Sequence, residues 1–542
     1  MTTNRFRNPI IPGFNPDPSI CRVGADYFLV TSTFEFFPGL PIYHSKDLTS
    51  WTLIGHAITR RSQLDLRTVE PSGGLWAATI RHSNGRFYIS VGSMSRFRPA
   101  EWDLVIPRGF YVSTMDIWDS TTWSEPVFFD NLGTDQDLFF DDDGKVYLST
   151  VFQITEPDSL NMKHGMGLAT HTSEIEIETG RTLTDPVLNR VSDVNIGIAE
   201  GPHIFKKDGV YYLTDAEGGT DEEHQQWISR STTGPFGPWE EGPRGVVNPV
   251  LYNGDHPDLR CTGHLDFVEG VDGRWWAVFL GVRPQRENED AFSQLGRETC
   301  LAPVEWVDGW PVVNNHERVG LEVHAEGLGI VEEEQSWHDD FEEPDLALGW
   351  YHVRTPLKKE YSLTARPSFL TLMGNPFDLR CSESPCLVLQ KQVRFSLDWK
   401  TELDFEPQRL GHEAGTTIWW SQFAHASIGI RKNQSNDGRE VIFRTLEPEG
   451  DEFKEVKHAI PAHGPVELLI RARVHDYELC YRMDGLEMTA LGSIASKTLT
   501  QRRPRDGPFT GAHFGLYSHG AHSMPCLTPA YFRHARWTAV EE

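Results

Sequence analysis

The 542-residue chain lacks features that mark membrane and nucleic-acid-binding proteins. It has no apolar run near the ~18 residues that a transmembrane helix needs, and its opening MTTNRFRNPI has no apolar signal-peptide core. Basic residues are few, 50 against 78 acidic ones, so the formal net charge is -28. This charge repels phosphate backbones and anionic membranes. We therefore expect a soluble protein, intracellular or secreted with its signal removed, that binds neither nucleic acid nor membrane.

Cysteine is scarce as well. The seven cysteines form no CxxC pair, and their odd number argues against a complete disulfide framework. Only Cys381 and Cys386 lie close enough in sequence to suggest a bridge. His256 and Asp258 could form a metal pair, but no third ligand stands at a usual spacing. Neither a disulfide scaffold nor a zinc-type cluster is therefore expected.

Aromatic residues, in contrast, are plentiful. The chain contains 17 tryptophans, and aromatic residues make up 11% of it. Flat apolar faces of this kind suit sugar rings. A chain of this length is also too long for one ordinary core, so two or more domains are expected. Carbohydrate is therefore a candidate partner, whereas nothing in the composition indicates an oligomeric state.

A repeat of about sixty residues runs through the first 322 residues. Its marker is a short β-rich segment, which reads DYFLV, RFYIS, KVYLS, VYYLT and RWWAV in successive units. Successive differences between the second large residues of these segments are 60, 59, 65 and 64. Those residues are Phe28, Tyr88, Tyr147, Tyr212 and Trp276. Five such units, each with room for four strands, predict a five-bladed β-propeller over residues 1–322.

Several units close with a tryptophan after a polar turn. Trp51, Trp123 and Trp239 occupy this place. The simplest interpretation is that they pack between blades, and it is preferred here over sugar binding.

The position 11 or 12 residues before each marker is more informative. It falls on Asp17, Trp76, Asp135, Glu200 and His264. Four residues further on, every unit has an uncharged residue, which indicates one repeated innermost strand. Those residues are Cys21, Ile80, Phe139, Ile204 and Val268. The first set would then ring a central funnel, where unpaired carboxylates are costly unless they serve a function.

Three carboxyls in one funnel suit glycosidic bond cleavage. That reaction needs an acid for the leaving oxygen and a carboxylate on the other side. Asp17 and Glu200 stand in the first and fourth units and could face each other across a small pocket. The charge of Asp135, from the neighbouring third unit, would keep Glu200 protonated, while an exposed Asp17 stays ionised. The ring thus predicts two carboxyls with two roles.

The pattern changes after Val313. An acidic segment over residues 323–336 is interpreted as a linker. Residues 337–542 contain runs with period-two alternation, such as VELLIRARVHDYELCYRM, and no long helical stretch. A C-terminal β-sandwich is therefore predicted, and the whole chain is assigned to the all-β class.

The residues of the ring lie in motifs that resemble those of glycoside hydrolase family 43, in particular its two-domain β-xylosidases and α-L-arabinofuranosidases. The motifs are GFNPDPSI at Asp17, STFEFFPG at Phe34, SGGLWA at Trp76, DQDLFFDDDG at Asp135, AEGPHIF at Glu200, TGH at His264, LGRET at Arg297 and PFTGAHFG at Phe509. The resemblance covers nearly the whole chain. It implies that Asp17 is the general base, Glu200 the general acid and Asp135 the residue that tunes the acid and orients the substrate.

The resemblance also implies roles for residues around these three. Phe34 and Trp76 match aromatic pocket walls, and Arg297 matches an arginine that binds sugar hydroxyls. Phe509 matches a sandwich residue that narrows the entrance. His264 matches a histidine under the pocket that faces a calcium ion or a water network, so a structural calcium is possible there, although no cofactor is required.

Two departures from the family pattern bear on the substrate. The chain has WAAT where WAPD is usual and DQD where many members have DPS. The expected enzyme is an inverting, exo-acting hydrolase that releases D-xylose from xylo-oligosaccharides, L-arabinose from arabinoxylan, or both. The alternative is a non-catalytic carbohydrate-binding propeller, in which the carboxyls only donate or accept hydrogen bonds.

Overall fold

The computed structural model describes residues 4–96, 105–153, 167–192, 194–285, 293–435, 438–446, 453–500, 509–521 and 523–541. These residues form an almost entirely β-structured molecule in two parts. The first part is a ring of five antiparallel sheets, and the second consists of two larger antiparallel sheets. The prediction of a five-bladed propeller followed by a β-sandwich is confirmed.

Each blade is made of strands that follow one another in sequence, and the innermost strand comes first. The first blade contains Ser19–Val23, Asp26–Val30, Gly39–Ser45 and Thr52–Ile58. The second contains Gly74–Ser83, Arg86–Arg96, Val105–Thr114 and Val127–Leu132. The third contains Thr134–Phe140, Val146–Gln153, Leu168–Glu176, Arg181–Thr182 and Val187–Val191. The fourth contains Ala199–Lys207, Val210–Glu217, Gln225–Ser231 and Glu240–Glu241. The fifth contains Arg260–Glu269, Trp275–Val282, Glu298–Val307 and Trp310–Val313.

The large residues that mark the repeat lie on the second strand of each blade and fill space between blades. The ring of Phe28 lies 5.1 Å from that of Phe87 in the next blade. Tyr147 contacts Phe236 of its neighbour in the same way, at 5.3 Å. Because buried aromatic rings contribute much of a core's apolar area, the repeat seen in the sequence is a repeat of inter-blade packing.

The tryptophans that close several repeat units also pack against the blades. Trp123 is 2% exposed, inside the cluster between the first two blades. Trp239 packs against a cluster at the third and fourth blades. Trp51 donates its indole N–H to the carbonyl of Leu48 at 2.8 Å, but it is only partly buried.

The ring is closed by the N-terminal segment. The strand Arg5–Arg7 pairs with Glu322–His324, beyond the fifth blade. Ile11 forms a β-bridge with Thr299 of that blade. Ser19 Oγ donates to Asp266 Oδ2 at 2.7 Å and so joins the innermost strands of the first and last blades. Closure therefore brings the start of the chain, with Asp17, beside residues almost 300 positions later.

The C-terminal part is a sandwich of two antiparallel sheets. The first sheet contains Ser336–Asp339, Tyr361–Ser362, Leu370–Leu372, Leu397–Asp404, Val466–Ala472, Asp476–Met483, Thr489–Ala495 and Ala530–Ala539. The second contains Leu387–Lys391, Glu413–Ser421, Ala424–Lys432, Arg439–Leu446, Phe453–Ile460 and His513–His519. Helical structure among the described residues is limited to a 3-10 turn at Asn314–His316 and a short α-helix at Ser496–Thr500.

The two parts share an apolar interface. The short strand Phe36–Phe37 of the propeller pairs with His352–Val353 of the sandwich. One cluster joins Phe14 and Phe34 of the propeller to Trp419 and other sandwich residues. The sandwich is therefore packed directly against the blade that carries Asp17.

The suggested disulfide is not present. Cys381 and Cys386 are both free thiols. Cys386 points into the sandwich core, whereas Cys381 lies outside that cluster. The two thiols therefore lie in different environments although they are close in sequence. Among the described residues, no helix is long and apolar enough to cross a membrane.

Candidate active site

One structural position, on the innermost strand or just before it, has left-handed backbone conformation in all five blades. These residues are Asp17 (φ 53°), Ala77 (φ 47°), Asp135 (φ 55°), Gly201 (φ 56°) and His264 (φ 52°). In the second to fifth blades the strand pairing shifts register close to this point, as in a β-bulge. Bulges redirect side chains and are common next to active sites. Here they aim side chains into the funnel instead of between the blades.

The strand pairing corrects the sequence alignment in two blades. Tyr88 pairs with Arg81, and Tyr212 pairs with Phe205. The proposed equivalents Ile80 and Ile204 are therefore wrong by one residue, and the position is not uncharged throughout. The alignment was off by one residue in these two blades because the hairpin turn after the innermost strand differs in length between blades. Consequently Trp76 and Glu200 stand one residue before the left-handed position, whereas Asp17, Asp135 and His264 occupy it.

Asp17 is held as an ion pair with Arg297. Arg297 Nη1 donates to Asp17 Oδ1 at 2.8 Å, and Asp17 is only 5% exposed. Burial opposes ionisation, but the charge of Arg297, with smaller contributions from neighbouring histidines and a hydrogen bond from Ser32, outweighs it, so the pKa of Asp17 lies below its usual value. The sequence predicted that Asp17 stays ionised because it is exposed to solvent. Asp17 is ionised but buried, so the predicted cause is wrong. The Arg297 guanidinium and the neighbouring polar groups, not solvent, keep this carboxylate charged.

Asp135 is fixed by two hydrogen bonds. Thr134 Oγ1 donates to its Oδ1 at 2.8 Å, and the backbone N–H of Gly201 donates to its Oδ2 at 2.8 Å. The second bond ties Asp135 to the residue that follows Glu200. Gly201 has no Cβ, and one built there would lie 2.8 Å from His264 Nδ1. The glycine thus allows Asp135, Glu200 and His264 to converge.

Glu200 lies in a different electrostatic environment. Burial raises its pKa to about 8, and the negative charges of Asp135 and Asp17 act in the same direction against an opposing contribution from Arg297. Near neutral pH this carboxyl is therefore largely protonated, whereas Asp17 is ionised. Such a split between two carboxyls is what acid–base hydrolysis of a glycoside requires.

Three aromatic rings wall the funnel. Phe34 lies 5.6 Å from Trp76, and Phe509, from the sandwich, stacks on Phe34 at 6.1 Å. Phe509 also meets Trp76 edge-on at 5.4 Å. Arg297 connects this wall to Asp17, because its Nη2 donates to the Phe509 carbonyl at 3.3 Å. Both parts of the molecule therefore contribute to one pocket.

Arg297 retains one unused donor. Its Nη1 also donates to Thr220 Oγ1 at 3.2 Å, but its buried Nε has no hydrogen-bond partner among the described residues. A buried donor without a partner is costly unless a ligand satisfies it. The N–H of Arg297 is thus suited to a sugar hydroxyl.

The sequence did not indicate how Trp76 is held. Its indole N–H donates to the Ser72 carbonyl at 2.9 Å, and the Ser72 N–H donates to Glu35 Oε2 at 3.0 Å. Burial raises the pKa of Glu35 to about 7. Glu35 lies within the STFEFFPG motif next to Phe34, but its role follows from a tertiary contact that no local pattern reveals.

A second ring of polar residues lies two positions further along each innermost strand. It consists of Ser19, Thr79, Asp137, His203 and Asp266, all buried. The guanidinium of Arg81 crosses this ring, with its nitrogen atoms 2.8 Å from carboxylate oxygens of both Asp137 and Asp266. A period-two extension of the sequence alignment would have found Ser19, Asp137 and Asp266, but the one-residue offset would have missed Thr79 and His203. These residues form a charged plug that supports the floor of the funnel.

His264 lies beside the carboxyls, as the sequence predicted, but its surroundings contain few oxygen ligands. The ring of His203 lies 5.8 Å from it, and Asp17 and Asp135 already accept hydrogen bonds. In the described part of the chain, no three His, Cys, Asp or Glu side chains form a metal-binding group. Calcium prefers six to eight oxygen ligands, so the protein groups here do not fit it, and a calcium near His264 stays a prediction.

The five-bladed ring with an ionised and a protonated carboxyl in one aromatic-walled funnel defines a carbohydrate-cleaving enzyme. Comparison with known proteins agrees. The sequence profile of glycosyl hydrolases family 43 matches residues 6–311. The profile of the beta-xylosidase C-terminal concanavalin A-like domain matches residues 338–538. The chain belongs to glycosyl hydrolase family 43 and is a glycoside hydrolase. The alternative of a non-catalytic binding propeller is not supported.

Similar proteins align with nearly the whole chain. A non-reducing end alpha-L-arabinofuranosidase of Bacteroides ovatus is 36% identical over 96% of this chain and 92% of its own length. A xylan 1,3-beta-xylosidase of a Vibrio species is 32% identical over 95% of this chain and 96% of its own. The crystal structure of a xylan beta-1,4-xylosidase from Bacillus halodurans superposes with a TM-score of 0.87, at 28% identity, over 98% of this chain and 100% of that one.

Proposed function

We propose that this enzyme removes single pentose units from the ends of xylan-derived carbohydrate by an inverting mechanism. Asp17 is the general base, Glu200 the general acid and Asp135 the group that tunes the acid. The substrates are xylo-oligosaccharides, arabinoxylan side chains or both, because the named relatives include a xylosidase and an arabinofuranosidase.

The opposed ionisation of Asp17 and Glu200 carries this proposal. Asp17 takes a proton from a water molecule, and the water oxygen attacks the anomeric carbon. As that bond forms, the glycosidic C–O bond breaks on the opposite face, and Glu200 gives its proton to the departing oxygen. The sugar is released with inverted configuration. The next cycle requires Glu200 to regain a proton and Asp17 to lose one.

The aromatic wall favours action at chain ends. Phe509 closes one side of the funnel by its contacts with Phe34 and Trp76. A funnel closed on that side suits a terminal sugar better than a continuous polymer. With a sugar bound, exclusion of water from the acid side would strengthen electrostatic interactions there.

The sugar preference is tested by running two chromogenic substrates in parallel, a β-D-xylopyranoside and an α-L-arabinofuranoside. We expect hydrolysis of at least one, and the ratio of the two kcat/KM values assigns the principal activity. The Asp17→Asn protein serves as the blank. If neither substrate nor any xylo-oligosaccharide is cleaved above that blank, the proposed function is wrong.

A further inference from the structure

A second cavity lies away from the funnel, where the propeller, the linker and the sandwich meet. Its volume is about 390 Å³, within the range of roughly 300–1,000 Å³ typical of small-molecule sites, which often lie at domain interfaces. None of Asp17, Asp135, Glu200, Arg297 and Phe509 lines it. The catalytic proposal therefore leaves this space without a role.

Aromatic side chains form much of the cavity wall. The propeller supplies Tyr43 and Trp51, and the sandwich supplies Trp337 and Tyr351. Trp51 is only partly buried although it lies next to a well-packed cluster. Flat aromatic faces from both domains suit the apolar faces of sugar rings.

Two of the residues that line the cavity supply hydrogen-bond donors, Gln390 and Lys391. Gln390 Nε2 is buried and has no hydrogen-bond partner among the described residues. Lys391 Nζ donates to Asn15 Oδ1 at 2.8 Å and lies 5.1 Å from the centre of the Tyr351 ring. The described residues give Lys391 no ion pair, and burial lowers its pKa to about 7. Near neutral pH the amine is therefore only partly charged, but it still has N–H groups that can donate further hydrogen bonds. Such donors are costly to bury unless an acceptor forms hydrogen bonds with them.

The charges around the cavity favour a neutral occupant. Arg283 is paired with Glu298 at 2.7 Å, and Arg394 is paired with Glu333 at 2.8 Å. The linker carboxylates that line the cavity would repel an anion, and the fraction of Lys391 that stays protonated would repel a cation. A polyhydroxylated molecule without charge meets both conditions, because its hydroxyls accept hydrogen bonds and its ring faces stack on the aromatic wall.

We propose that this cavity is a second carbohydrate site, where a short neutral oligosaccharide stacks on Trp51 and accepts hydrogen bonds from Gln390 and Lys391. It would hold substrate on the enzyme without cleaving it, since the described lining residues include no acid–base pair like Asp17 and Glu200. Xylotriose is the probe because the proposed function acts on xylan-derived sugars. The aromatic wall and the hydrogen-bond donors of the cavity do not depend on that function.

The test is calorimetric titration of the full-length Glu200→Gln protein with xylotriose, a background that keeps the sugar intact. We expect two binding events per chain. Trp51→Ala in this background should remove one, or weaken it at least tenfold, and leave the other unchanged. Trp118→Ala, a control that removes a 54% exposed tryptophan outside the cavity, should leave both. Gln390→Leu should weaken the same event as Trp51→Ala, and equal melting temperatures would exclude unfolding as the cause.

The outcomes separate this inference from the proposed function. A single event that disappears in Trp51→Ala would support the cavity site while contradicting sugar binding in the funnel. Binding that is unchanged in both Trp51→Ala and Gln390→Leu would overturn the second site and identify the cavity as a water-filled space between domains. Absence of any binding by the Glu200→Gln protein would overturn it as well.

Discussion

The axis of the propeller and the core of the sandwich are both built from antiparallel strands, yet they bury opposite kinds of side chain. The sandwich centre is apolar, with Trp399 and Phe514 stacked at 5.2 Å and both fully buried. The propeller axis instead holds the partly buried Arg81 between the buried carboxylates of Asp137 and Asp266. Buried ion pairs seldom stabilise a fold more than apolar packing does.

The difference shows how the molecule divides its tasks. The sandwich core stabilises the fold, and the sandwich reaches the active site only through the segment that carries Phe509. The propeller axis holds costly charges because they position and tune the carboxyls above them. Substitutions in the funnel should therefore change catalysis with little effect on stability, and substitutions in the sandwich core should do the reverse.

The largest effect is expected from Asp17→Asn. Because every substrate needs an activated water, kcat should fall by about 10²–10⁴-fold whatever the leaving group. Steady-state rates on a chromogenic xyloside and on xylobiose measure this. Asp26→Asn, in the same blade but on the surface, should retain full activity. Residual activity of Asp17→Asn above a few per cent would remove Asp17 from the role of base.

Glu200→Gln should discriminate between leaving groups. A sugar alcohol needs protonation as it departs, so xylobiose hydrolysis should fall by about 10²–10⁴-fold. A nitrophenol of low pKa leaves without help, and its release should fall far less. Glu240→Gln, an exposed residue of the same blade, is the matched control. Equal losses on both substrates would show that Glu200 is not the acid.

Asp135→Asn should move the pH profile. The pKa of Glu200 is raised to about 8, in part by the charge of Asp135, so kcat/KM of the native enzyme on xylobiose should decline as pH rises through about 8. Removal of the negative charge lowers that pKa, and the alkaline limb should move to lower pH. Unchanged position of the limb in Asp135→Asn would show that Asp135 does not tune the acid.

A smaller loss is expected from Phe509→Ala, which removes the contribution of the sandwich to the pocket. The kcat/KM on xylobiose should fall about tenfold, equivalent to ~1.4 kcal/mol of transition-state stabilisation. Melting temperature should change little. Phe369→Ala, whose ring packs on Tyr531 within the sandwich, should leave the kinetics unchanged. A large loss of stability with unaltered xylobiose kinetics would show that the two domains do not share the site.

The sequence predicted those features that repeat locally. The five blades follow from hairpins whose marker residues recur at nearly constant spacing, and the same spacing brought Asp17, Asp135 and Glu200 to one ring. It could not show the one-residue offset at Trp76 and Glu200, because the hairpin turns differ in length between blades.

Features that depend on distant contacts were missed. The ion pair of Asp17 joins residues 280 positions apart, and the support of Trp76 by Glu35 runs through the Ser72 backbone. The burial of Asp17 and the separation of Cys381 from Cys386 are also properties of the folded chain. In each case the tertiary surroundings of the side chain determine its ionisation or its bonding, and the residue type alone does not.

The stereochemistry of the released sugar tests the account most directly. Proton NMR during the first minutes of hydrolysis of a β-xyloside, or of an α-arabinofuranoside if that is the better substrate, resolves the first-formed anomer before mutarotation mixes the two. The opposed ionisation of Asp17 and Glu200 predicts the anomer opposite to that of the substrate. Release of the same anomer would contradict single displacement and make Asp17 a nucleophile instead of a base.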